Sequence, residues 1–189
     1  MPKRLRGFKH AQSWNYRTSF GFMATHPSAL PTEELLRHCT ERYVRRSGPG
    51  GQNRNKVETG VVLTHQPTGV TAEASERRRQ GENRLVAIRR LRTTLAVEHR
   101  SPPVGNGPST RWQSRVNGGR LSLSERHDDY PALLAEALDT LDAADWDTSA
   151  AALRLGVTTT QLVKLIRTEP RAFRQLNTAR TERGLPPLR

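Results

Sequence analysis

The pattern of apolar and polar positions changes period several times along the chain. Thr32 precedes Glu33, Glu34, Leu35 and Leu36, which predicts a helix N-cap with acids in the first turn and an end near His38. From Cys39 to Arg46 the residues alternate in character. Cys39, Glu41, Tyr43 and Arg45 share one face, and Thr40, Arg42, Val44 and Arg46 share the other, so a strand is predicted. Residues 61–65 and 70–74 are two further strand candidates around Gln66-Pro67-Thr68-Gly69, the composition of a hairpin turn. From about Gln80 the period lengthens, with Leu85, Ile88, Leu91 and Leu95 at helical spacing. That stripe is expected to pack on the sheet, with Arg84, Arg89, Arg90 and Arg92 mainly around the other sides. Residues 32–100 thus read as one compact α+β unit.

The remaining segments read differently. Residues 1–31 show neither period. Residues 101–128 are rich in Ser, Pro, Gly and Asn and poor in apolar residues, which predicts a flexible linker. Residues 129–189 read as a small all-helical module. Pro131 fits the first turn of a helix carrying Leu133, Leu134, Ala137, Leu138 and Leu141. Gly156 stops a second helix, Thr158–Thr160 supply cap candidates for a third, and Pro170 ends it. Phe173 and Leu176 mark a fourth before Gly184. The run from Ala150 to Ile166 resembles a helix-turn-helix. Trp146 is expected as a core anchor rather than a stacking platform, and Cys39 as a buried strand residue.

Charge separates these segments further. The 189 residues hold 31 Lys and Arg against 18 Asp and Glu, a net charge of +13. Residues 1–32 contribute +5 with no acid, residues 33–100 contribute +6, and residues 129–189 are neutral. The front half therefore carries nearly all the attraction for a polyanion, of which nucleic acid is the commonest. One cysteine excludes an intramolecular disulfide framework and a cysteine-based zinc cluster. No run is long and apolar enough for a transmembrane helix. The first segment is open to three readings: an organellar transit peptide, a leader ahead of a start at Met23, or a disordered basic arm on RNA.

The candidate chemistry lies in Ser47-Gly48-Pro49-Gly50-Gly51-Gln52-Asn53. Two adjacent glycines admit backbone conformations closed to other residues and let a chain tip enter a narrow pocket. They also let backbone N–H groups point at an oxyanion. Gln52 adds one amide donor and acceptor. Arg45, Arg46, Arg54 and Lys56 stand on either side, suited to phosphates. The segment offers no Ser/His/Asp set, no paired carboxylates and no metal cluster. It therefore reads as an element that enters another molecule's active site, or as a plain turn.

Wider context carries more. Residues 46–56, with Arg46 and Gly50-Gly51-Gln52-Asn53-Arg54-Asn55-Lys56, resemble the GGQ loop of class I peptide chain release factors. Residues 64–70 look like that family's hairpin, and residues 76–84 like the entry to its last helix. The resemblance implies a β-α-β-β-α catalytic domain over 32–100 and hydrolysis of the ester between nascent peptide and tRNA in the large ribosomal subunit. Under it, Gly50 and Gly51 let the loop reach the terminal adenosine of P-site tRNA. The Gln52 N–H stabilises the developing charge, and its side chain positions water. Asn53, Asn55, Lys56, Arg77, Arg78, Arg79 and Arg84, with Arg45, Arg46 and Arg54, are implied as RNA contacts. Asn83 is either such a contact or a helix-start hydrogen bond.

Only 46 residues precede Ser47, and no decoding domain is found among them. The chain is therefore similar to the short, codon-independent relatives that rescue stalled ribosomes, which often end in a basic tail. Here a neutral helical module stands at that end. The expected partners are large-subunit RNA and P-site peptidyl-tRNA, with no cofactor, metal, membrane or DNA. The cytoplasm is the expected location, or an organellar matrix if the first segment is a transit peptide. The rival is a non-catalytic ribosome- or RNA-binding protein on the same fold.

Overall fold

The structure is a computed structural model that describes residues 25–45, 58–103, 105 and 107–188. The fold is α+β. A 3-10 turn at Pro27–Ala29 leads to helix α1 (Thr32–Arg37), then strand β1 (Cys39–Val44). Strands β2 (Gly60–His65) and β3 (Thr71–Ala74) follow, then helix α2 (Gln80–Glu98). The three strands form one antiparallel sheet in the order β1-β2-β3. Among the described residues the order is thus α-β-β-β-α, and the 3-10 turn stands where β-α-β-β-α would place a first strand.

Sequence patterning explains the sheet. Register pairs Glu41 with Leu63 and Tyr43 with Val61, and Leu63 with Ala72. The period of two then puts Val61, Leu63, Ala72 and Ala74 on one face. These four are buried with Leu35, Val70, Ala87, Ile88, Leu91 and Leu95 in one core. Thr40, Thr64 and Thr71 share the opposite face, where the Thr64 and Thr71 hydroxyls lie 3.0 Å apart. Some local expectations need correction. Thr32 is the first helical residue of α1 rather than its cap, because Pro31 occupies that position with no side-chain bond. Leu85 is 68% exposed, so the stripe on α2 begins at Ala87 and Ile88. Cys39 is half-buried on an edge strand, and burial raises its thiol pKa to about 11. Arg92 is tied into the structure: it donates to the Ser28 carbonyl at 2.8 Å and to the Thr32 hydroxyl at 3.1 Å.

Residues 101–128 depart most from expectation. In place of a flexible linker they carry helix α3 (Thr110–Gln113) and a hairpin of β4 (Val116–Asn117) and β5 (Arg120–Leu121). Ser109 caps α3 by accepting from the Trp112 N–H. Trp112 itself is fully buried, and its indole N–H donates to the Leu155 carbonyl at 2.8 Å. Arg115 and Arg111 pair with Asp129, at 2.8 and 3.4 Å. The last residues of the expected arm are also folded: Pro27 and Ser28 are buried, and the Ser28 hydroxyl reaches the Pro131 carbonyl.

Helices α4 (Tyr130–Ala143), α5 (Thr148–Leu155), α6 (Thr159–Arg167) and α7 (Pro170–Glu182) complete the chain. Asp147 caps α5, Gly156 ends it in the left-handed conformation at φ 65°, and Thr158 caps α6. Pro170 opens α7 rather than merely closing α6, a first-turn position that needs no N–H. Trp146 is buried, as a core anchor should be. The second core gathers Leu133, Leu134, Leu138, Leu141, Leu162, Ile166 and Leu176 with Trp112 and, from α2, Ala96 and Val97. One helix therefore serves both cores: α2 faces the sheet through Leu91 and Leu95 and the helical module through the next two residues. Arg100 closes its C-terminal end by donating to the carbonyls of Ala96, Val97 and His99 and to Gln175.

Buried titratable groups at this junction set a pH dependence. Desolvation pulls His26 and His65 from 6.5 to about 4, and lowers His99. Their native forms stay neutral while the unfolded chain takes up protons below about 6.5, so stability is lost as pH falls through the window from 6.5 to 4. Asp139, buried against Ser101, is pushed up by desolvation to about 7 and acts with the opposite sign. Two to three histidines outweigh one carboxyl. Urea unfolding at several pH values is expected to show stability falling from pH 7 towards 4.5. Asp139→Asn, which removes the opposing group, is expected to steepen that fall.

Candidate functional site

Strands β1 and β2 end in the pair Val44 and Gly60, and residues 46–57 join them beyond it. Both feet of that segment are fastened. Arg45 Nε lies 3.4 Å from Glu58 Oε1, one and two residues beyond the last strand pair. At Gly60 a Cβ would sit 2.8 Å from Val44 Cγ2 and 2.9 Å from the Val44 carbonyl oxygen, so only glycine admits this approach.

The start of α2 holds the second foot. Asn83 is fully buried. Its Nδ2 donates to the Thr59 carbonyl at 2.7 Å and to the Arg77 carbonyl at 3.0 Å, and its Oδ1 accepts from the Arg77 N–H at 2.8 Å. Gln80 adds a bond from Nε2 to the Glu58 carbonyl at 3.1 Å. All the polar capacity these bonds use is spent internally, so Asn83 is a helix-start clamp and not an RNA contact. Through Arg77, the clamp also fixes the backbone that displays Arg77, Arg78 and Arg79, whose side chains are exposed.

Arg84 has a different environment. Its Nε lies 2.9 and 3.1 Å from the two Glu41 carboxylate oxygens. Glu41 also accepts from the Tyr43 hydroxyl at 3.0 Å, a bond that raises the tyrosine pKa. Arg84 is therefore already paired, whereas Arg77–Arg79 have no ion pair among the described residues. Glu76 pairs with Arg90 at 2.7 Å. Gly50, Gly51 and Gln52, with Arg46, Asn53, Arg54, Asn55 and Lys56, lie outside the described residues. Sequence reasoning missed Gly60 and Gln80. A glycine opening a strand rich in β-branched residues is the available signal for the first.

Fold and clamp together define a small α+β domain built to present one connection between two strands. The RF-1 domain family model matches residues 35–131, 97 of the 189 residues, and the chain belongs to that family. A mitochondrial peptide chain release factor-like protein of Saccharomyces cerevisiae is 35% identical over 97 residues, covering 50% of this chain and 63% of that protein. A chloroplastic peptide chain release factor of Arabidopsis thaliana is 38% identical over 112 residues, covering 53% of this chain and 24% of that protein. The chain thus spans less than two thirds of the length of either relative. No solved structure matches it.

Proposed function

We propose that the protein hydrolyses the peptidyl-tRNA ester on the ribosome without reading a stop codon, and so releases nascent chains from stalled ribosomes. The observation that carries this reading is Gly50-Gly51-Gln52 within the span matched by the RF-1 domain, on a connection whose feet are clamped by Gly60, Asn83 and the Arg45–Glu58 pair. In this reading the two glycines admit the chain to the peptidyl transferase centre. The Gln52 N–H stabilises the charge that develops on oxygen, and its side chain positions water. Ribosomal RNA and tRNA supply the remaining groups. Arg46, Asn53, Arg54, Asn55, Lys56 and Arg77–Arg79 dock the domain on large-subunit RNA, and Arg45, paired with Glu58, joins them only if RNA competes for its guanidinium. Arg84 joins them only if RNA competes with Glu41 for its guanidinium.

The names of the two relatives carry a mitochondrial and a chloroplastic location. An acid-free N-terminal segment with five Lys and Arg is compatible with import of this chain into an organelle as well as with work in the cytoplasm. The test of function is peptide release from purified ribosomes stalled on an mRNA without a stop codon. Release is expected, and Gly51→Ala and Gln52→Ala are each expected to abolish most of it. Binding to ribosomes with no release, unchanged by either substitution, would favour the non-catalytic reading.

A further inference from the structure

The helical module is neutral in sum but not in distribution. Residues 129–149 hold six acids and no Lys or Arg, whereas residues 150–179 hold five Lys and Arg and one acid. Nearly every acid of the first stretch is consumed inside the protein. Asp129 pairs with Arg115 and Arg111. Glu136 accepts from the Ser109 N–H and hydroxyl. Asp139 accepts from the Ser101 N–H, Asp145 pairs with Arg183 at 2.6 Å, and Asp147 caps α5. The one acid of the second stretch, Glu169, is bonded to Arg171 at 3.0 Å.

What remains is a set of exposed cations. Arg154, Lys164, Arg167 and Arg174 have no ion pair among the described residues. Thr160, Lys164 and Arg167 recur at i, i+4 and i+7 on α6 and are all exposed, opposite the buried Leu162, Leu165 and Ile166. Arg167 crosses to the next helix, with its guanidinium carbon 5.1 Å from the Phe173 ring centre, beside Arg174. Gly156 and Thr158 set the turn that presents α6.

We propose that this outward face of α6, with Arg174 next to the Phe173 ring that Arg167 covers, docks on the phosphate backbone of an RNA duplex. A hydroxyl followed by two cations at one-turn spacing matches phosphate and 2′-hydroxyl groups across a shallow minor groove. The choice of RNA as the polyanion rests on the release reading above. The face itself rests on the charge distribution.

The test uses the full chain and a fluorescent 20-base-pair RNA duplex, with binding followed by anisotropy over a salt series. Lys164→Gln, Arg167→Gln and Arg174→Gln together are expected to weaken binding about tenfold at low salt and to reduce the log–log salt slope by about two to three. A control chain with Arg37→Gln, Arg120→Gln and Arg126→Gln removes the same charge from exposed positions elsewhere and is expected to lose about threefold or less. Equal losses in both chains would overturn the proposal, as would an unchanged slope in the first. A DNA duplex of the same sequence bound as tightly, and lost equally in the first chain, would overturn the RNA assignment. The assay contains no ribosome and no peptidyl-tRNA, so a failure of peptide release leaves its readout untouched.

Discussion

Trp112→Ala is expected to cost about 3–5 kcal/mol, the range for truncating a fully buried aromatic residue. The physical grounds are its burial in the second core and its 2.8 Å bond to the Leu155 carbonyl. Removing the indole opens a cavity in the second core, and it deprives the last carbonyl of α5 of its partner. Trp112→Phe separates the two effects: most of the volume stays, and about 1 kcal/mol for the hydrogen bond is lost. Chemical denaturation at neutral pH measures both. If residues 101–128 were a solvated tether, either substitution would change stability by less than about 0.5 kcal/mol, the usual range for exposed sites. A loss that small would mean Trp112 does not dock.

Asn83→Asp is expected to destabilise the domain by on the order of 3 kcal/mol, through replacement of one nitrogen by oxygen with almost no change of shape. The amide nitrogen faces two carbonyl oxygens, of Thr59 and Arg77, and a carboxylate would put a third oxygen there. The acid keeps the Arg77 N–H donor on one oxygen, but it must then either stay ionised with the other oxygen against two carbonyls or take up a proton, and both cost free energy in a buried site. Asn83→Ala leaves the Arg77 N–H and the two carbonyls to find other partners, with a loss of similar order. Hydrogen exchange gives the specific signature. The Arg77 amide, which donates to Asn83, should lose protection beyond the change in global stability. A surface RNA contact at this position would leave both measurements unchanged. Peptide release should fall with the clamp, since the second foot of the 46–57 connection is fastened by this residue.

The two sites also show what a sequence can and cannot carry. Strand β1 is legible from its alternation, β2 and β3 from the Pro/Gly turn between two apolar runs, and helices α4–α7 from apolar clusters bounded by Pro131, Gly156, Thr158 and Pro170. Trp112 was not legible. One apolar residue amid Ser, Pro and Gly makes no period, and its partner Leu155 lies 43 positions away. Leu85 failed in the other direction: it is three residues from Ile88, but at about 100° per residue it lies about 120° around the helix from the buried face that Ala87 and Leu91 define. Asn83 was read as either of two things because its bond to Thr59 spans 24 positions. Gly50, Gly51 and Gln52 were singled out by their neighbours' resemblance to a family. Two glycines and an amide without that context describe many turns.

Helix α2 has a consequence for how the two halves keep their orientation. Asn83, near its first turn, fastens the strand connection, and Ala96 and Val97, near its last, are buried in the helical module's core. Thirteen residues separate Asn83 from Ala96, about 20 Å of helix at 1.5 Å each. That stretch acts as a keyed shaft: it sets the spacing of the two ends and also their angular phase. One residue inserted within it would turn the module by about 100° about the axis, and four would nearly restore the phase at a cost of about 6 Å in length. Residues 101–128 lie after the shaft, and the buried Trp112 and the Arg115–Asp129 pair dock them on the module whose phase the shaft has already set.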